Sequence, residues 1–107
     1  MGKLRSSYTG GTSKELAHLR KVLKEKRSEL GKKALGAEIG TSLYSDRSIR
    51  LTVYERMSLV KFRSIVAKIL KAAGMSCESQ TYRSRKEVYF RTIYQFRYVT
   101  LTNPVIE

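Results

Sequence analysis

The chain holds one cysteine, one histidine, one proline and no tryptophan in 107 residues. Each scarcity removes a class of protein. A single cysteine, Cys77, makes no intrachain disulfide, so a reducing, intracellular setting is expected rather than a secreted, cross-linked one. It lies in an expected strand, Met75-Ser-Cys-Glu-Ser, and reads as a buried, inert thiol. One His and one Cys cannot supply the usual ligands of a zinc site. No Ser-His-Asp arrangement can be argued around His18, which falls on a charged helix and reads as a solvated surface residue. Carboxylates are also few: Asp46 is the only aspartate. Among Asp46, Glu55, Glu78 and Glu87 no pair has a telling spacing for metal or acid–base work. No metal and no cofactor is therefore expected. No apolar run approaches the roughly 20 residues of a membrane span. The N-terminus, M-G-K-L-R-S-S-Y, is basic but has no hydrophobic region behind it, so it is not a secretory signal. It has none of the second anchoring features that a myristoylated end needs. The phosphate-loop pattern is missing too. Gly31 to Gly36 has the right gap, but Ala37-Glu38 comes next where Lys and Ser/Thr are required.

Basic charge, by contrast, is plentiful. Lysine and arginine exceed acids by 22 to 9, a net charge of +13. Residues 1–48 carry eleven basic and five acidic side chains, and residues 49–107 carry eleven and four. The excess belongs to the folded body and not to a tail. It repels itself, and a polyanionic partner relieves that repulsion. Nucleic acid is the commonest such partner and an anionic membrane surface the second.

Residues 1–11 read as a mobile segment ending in Gly10-Gly11, and residues 12–107 as one small domain able to bury a modest core. Thr12-Ser-Lys-Glu15 has the spacing of a capping box and predicts a helix start. Leu16, Leu19, Leu23 and Leu30, with Val22 beside them, form its apolar stripe. Arg20, Lys24 and Arg27 share a face at one-turn spacing and form a first candidate phosphate-binding group. Gly31, Gly36 and Gly40 punctuate the next stretch. The preferred reading is a helix broken near Gly31, with a second helical piece from Lys32 to Ile39. Thr41 to Ser48 reads as a polar turn. Ile49, Leu51 and Val53 alternate inward from a half-buried strand. Leu59, Phe62, Val66, Ile69 and Ala73 recur at helical spacing, widened by Val60, Ile65 and Leu70. Gly74 is a natural stop, and Lys61, Ser64, Lys68 and Lys71 line the outer side. Met75 to Gln80 predicts another strand, and Thr81 to Ser84 a turn.

Six of the ten aromatic residues then fall between Tyr82 and Tyr98, interleaved with Arg83, Arg85, Lys86, Arg91 and Arg97. β-Branched and aromatic residues run to Thr102 without Gly or Pro, which predicts one long strand with a bulge or bend near Tyr98. One of its faces carries Val88, Phe90, Thr92, Tyr94, Phe96 and Tyr98 and is the expected core side. The other carries Tyr89, Arg91, Ile93, Gln95, Arg97 and Val99, an aromatic and guanidinium surface suited to phosphates and stacked bases. The order implies an α+β domain: an N-terminal basic helix, then strand-helix-strand-strand. Its small antiparallel or mixed sheet is covered by the Leu59–Ala73 helix. With three strands, the bare face and the edges favour a homodimer.

The function expected is that of a small intracellular, non-catalytic nucleic-acid-binding protein, gripping mainly the phosphate backbone with limited sequence specificity. DNA and RNA are not distinguished. The candidate residues are Arg20, Lys24, Arg27, Arg83, Arg85, Lys86, Tyr89, Arg91, Gln95 and Arg97. A rival from another class is a structural assembly component of a ribosome or virion. A small basic ribonuclease, using Tyr89, Arg91, Arg97 and Lys86 for charge stabilisation and proton transfer, is a weaker alternative. A membrane-surface protein is disfavoured, because neither helix sets bulky aromatics above a basic face.

Overall fold

The computed structural model describes residues 12–30, 39–45 and 47–107. In chain order the elements are α1 (Ser13–Glu25), α2 (Arg27–Leu30), β1 (Ile39–Ser45), β2 (Ser48–Val53), α3 (Leu59–Ala73), β3 (Met75–Ser76), β4 (Ser79–Tyr89), β5 (Thr92–Thr102) and β6 (Val105–Ile106). The expected α+β class holds, with four strands in the main sheet rather than three. Their order is β1-β2-β5-β4, all neighbours antiparallel, and β3 and β6 form a separate two-stranded ladder. Since β2 and β4 each run antiparallel to β5, they are parallel to one another. The chain therefore crosses from β2 through α3 to β4, and β5 returns into the gap.

The α3 helix forms where the sequence demands it. Ser58 caps its start, its hydroxyl accepting from the Lys61 N–H at 3.1 Å. Gly74 ends it in the left-handed region at φ 62°, which a Cβ disfavours. Phe62, Ile65, Val66, Ile69, Leu70 and Ala73 are buried, while Lys61, Ser64, Lys68 and Lys71 are exposed as expected. Val60 is not part of the stripe; it lies exposed in the first turn. Leu16, Leu19 and Val22 of α1 join the same core, together with Ile49, Leu51 and Val53 of β2 and Val99 and Leu101 of β5. Both long helices thus cover one face of the sheet.

Several expectations about local structure are corrected. The capping box is not made. The Thr12 hydroxyl donates instead to the Ser45 carbonyl at 3.1 Å, and Glu15 Oε1 is buried without a partner. His18 is half-buried, its Nε2 donating to the Ala73 carbonyl at 2.8 Å, so it ties α1 to the end of α3. Thr41 to Ser45 is strand, because the edge position in β1 tolerates polar residues on both faces. Of the piece expected from Lys32 to Ile39, residues 32–38 lie outside the described residues and Ile39 opens β1. The expected mobile segment, residues 1–11, also lies outside them. Thr81 to Ser84 is not a turn but the middle of β4. Cys77 sits half-buried between β3 and β4, against the core.

The largest correction concerns the aromatic stretch. It is not one bent strand but a hairpin, β4 and β5, closed by the two-residue turn Phe90-Arg91. Both turn residues hold positive φ, 49° and 68°, as a type I′ hairpin turn requires. No bulge is needed near Tyr98: the pairing runs without a break from Ser79–Thr102 to Tyr89–Thr92.

Candidate nucleic-acid interface

Register decides which side chains share a face. Residues paired across antiparallel strands point the same way. Leu51 pairs with Val99 and Ile49 with Leu101, so the helix-covered face of β5 carries Ile93, Gln95, Arg97, Val99 and Leu101. The opposite face carries Tyr94, Phe96 and Tyr98. The expected assignment of faces is therefore inverted along β5, while Val88 and Tyr89 on β4 lie on the sides expected of them. Val99 and Leu101 fix it, because their burial against α3 outweighs the aromatics further up the strand. Arg97 is half-buried and its Nε donates to the Met57 carbonyl. Gln95 shares that side. Neither belongs to an open binding face.

Among the described residues no helix lies on the other face. What collects there is aromatic and cationic. Arg50 pairs with Ser42 and Thr100, and its guanidinium lies between the rings of Tyr44, at 3.9 Å, and Tyr98, at 4.2 Å. Its Nε is buried with no hydrogen-bond partner. Tyr54 meets Phe96 edge-to-face at 5.3 Å, and Tyr89 meets Tyr94 at 5.9 Å. Gly40 belongs to the same patch: a Cβ there would stand 3.2 Å from the Tyr54 ring, so glycine lets that ring lie across β1. On β4 the alternation puts Arg83, Arg85, Glu87 and Tyr89 on this face. Glu87 pairs with Arg85 at 3.6 Å and accepts from the Tyr89 hydroxyl. That hydrogen bond to a carboxylate holds the Tyr89 phenol above its usual range.

Of the residues singled out from sequence, Arg83, Arg85 and Tyr89 thus share the open face. Arg91 occupies the hairpin turn, and Lys86 lies exposed on the helix-side face of the hairpin. Arg20, Lys24 and Arg27 sit on the helical layer. Arg20 is spent on β1, donating from Nε to the Thr41 hydroxyl and from Nη2 to its carbonyl, both at 3.1 Å. Arg50, Tyr44 and Tyr54 were not singled out from sequence, and Phe96 and Tyr98 were expected on the core side. For Arg50 and Tyr54 the signal was present: with Ile49, Leu51 and Val53 inward, Arg50, Thr52 and Tyr54 had to be outward.

Where β2 ends, β5 continues with an edge that no strand among the described residues pairs. A cleft of about 320 Å³ opens there, lined by Tyr54, Arg56, Lys86, Ile93, Tyr94 and Gln95. Two phenol rings and two cations around a free strand edge can stack a planar group and hold an anion beside it. Among the described residues no cluster of three or more His, Cys, Asp or Glu side chains could hold a metal ion. No helix among them is long and apolar enough to cross a membrane. The molecule is thus an α+β protein with two helices on one sheet face and an aromatic, arginine-bearing surface on the other. Comparison with protein-family models, with curated proteins and with solved structures gives no match.

Proposed function

We propose that this chain is a nucleic-acid-binding protein without catalytic activity, and that the open face of the β1-β2-β5-β4 sheet is its binding surface. One observation carries the reading. Arg50 is stacked between Tyr44 and Tyr98 on a face that no helix among the described residues covers, in a chain of net charge +13. Exposed rings give platforms on which any base can stack, and the adjoining Arg83 and Arg85 give fixed charges for phosphates. Because stacking and phosphate contact are both sequence-tolerant, binding is of limited specificity.

The test is a fluorescence anisotropy titration of labelled DNA and RNA, single- and double-stranded, with folded variants at physiological salt, where distant charges are screened. Tyr94→Ala and the pair Arg83→Ala with Arg85→Ala should each weaken binding. The pair Lys68→Ala with Lys71→Ala removes the same charge from the outer side of α3 and should leave affinity nearly unchanged. Equal losses from the two pairs would move the reading from a face to bulk charge. A second reading, a self-associating structural component, is favoured by Val88 and Ile93, which are 66% and 67% exposed on the hairpin beside the edge of β5 that no strand among the described residues pairs. A dimer or larger mass in light scattering without nucleic acid would support it.

A further inference from the structure

The β4–β5 hairpin runs past the body of the sheet. β2 stops at the Val53–Arg97 pair, whereas β4 and β5 remain paired from Arg85–Phe96 to Tyr89–Thr92. At about 3.4 Å per residue this two-stranded ribbon projects roughly 14 Å before its turn. At the tip Phe90 is 99% exposed, and its φ of 49° is followed by 68° at Arg91. Positive φ at two successive non-glycine residues is unfavourable, most of all for a bulky ring. Asn-Gly would close the same turn with neither penalty. A ring so exposed gains nothing from the core, and backbone strain of this kind clusters where function needs it. The stem is cationic on both sides, with Arg85 on the open face and Lys86 on the other, and Arg91 in the turn; Glu87 is its one acid.

A narrow cationic ribbon with an apolar ring at its end has the shape of a groove wedge. Strands about 4.8 Å apart fit a major groove about 12 Å wide. Apolar wedges inserted at a base step unstack it and kink the duplex. The deep, narrow major groove of A-form RNA does not admit such a ribbon. A second copy of the chain fits the tip less well, since it would set one net charge of +13 against another. We propose that the β4–β5 arm enters a groove of double-helical DNA and that the Phe90 ring inserts between two base pairs, bending the duplex. The inference rests on the nucleic-acid reading above but concerns the arm and not the sheet face.

The experiment uses a short DNA duplex with 2-aminopurine at a central TA step, a flexible step that unstacks readily, and a second duplex carrying a fluorophore pair at its ends. Phe90→Asn removes the wedge with a residue that accepts positive φ, so the turn is kept. Phe90→Trp retains a wedge. The wild type and Phe90→Trp should raise 2-aminopurine fluorescence severalfold and bring the duplex ends closer. Phe90→Asn should bind within about threefold of wild type, since phosphate contacts carry most affinity, yet give neither signal. Retention of both signals in Phe90→Asn overturns the proposal, as does binding of the wild type without either. Failure of the wild type to bind any nucleic acid would instead remove the functional reading on which it rests.

Discussion

Arg50 holds its guanidinium between two phenol rings and leaves its Nε buried and unpartnered. Planarity is what the site uses, because a guanidinium stacks on two rings at once and an ammonium does not. Arg50→Lys keeps the charge but should lower stability by about 1 kcal/mol, measured by urea unfolding; an unchanged midpoint would mean the sandwich contributes nothing. Cys77 makes a second prediction. Burial pushes its thiol up, against a smaller downward pull from a hydrogen bond with Gln80. The folded state therefore holds the proton more tightly than the unfolded state. That contribution to stability is present below the unfolded pKa and is lost as pH rises through the folded one. At mildly alkaline pH the native thiol should react with iodoacetamide more slowly than the thiol of the urea-unfolded chain, because the thiolate is the nucleophile. Matching rates would show that burial does not protect it. At this scale the expected burial of Cys77 holds only in part, since the side chain is half-buried against the core. The role of His18 was not legible, since a bond to Ala73, 55 positions away, has no local signal.

Among the elements, α3 was legible because every feature that makes it is local: the stripe, the outer lysines and the Gly74 stop. Phe62→Ala or Ile69→Ala should cost roughly 2–5 kcal/mol, since both side chains are fully buried. Changing Lys61, Lys68 and Lys71 together to Ala should leave the melting temperature nearly where it was, and a large drop would mean that the lysines pack. The hairpin was hidden for the opposite reason. Phe90-Arg91 lacks the Asn-Gly or Asp-Gly chemistry that marks such turns, so two strands read as one. That error carried over into the faces, since a single strand ending in aromatics would bury them. The turn itself offers a prediction. Phe90→Asn with Arg91→Gly relieves two positive-φ positions and should raise stability by about 1–2 kcal/mol. A lower urea midpoint in the double variant would show that the ring or the guanidinium packs against the chain in solution.

For the whole molecule, the charge excess was visible in composition alone, but its arrangement depended on pairing between distant strands. Register brought Arg83 and Arg85 to the face that holds Arg50, and took Arg97 away to the Met57 carbonyl. If that face grips phosphates, affinity must fall as salt rises, with a slope near −0.9 for each phosphate neutralised on duplex DNA and about −0.7 on a single strand. Arg83→Ala with Arg85→Ala should therefore make the slope shallower by about two, uniformly across sequences. The Lys68→Ala and Lys71→Ala pair removes as much net charge and so weakens long-range steering equally, but it touches no phosphate on this face and should leave the slope unchanged. At low salt, where screening is weak, both pairs lose affinity and only the slope separates net charge from local contact. A series of titrations across salt is therefore the measurement required. A slope that is flat in the wild type would mean that the excess of 22 basic over 9 acidic residues answers to something other than a phosphate backbone.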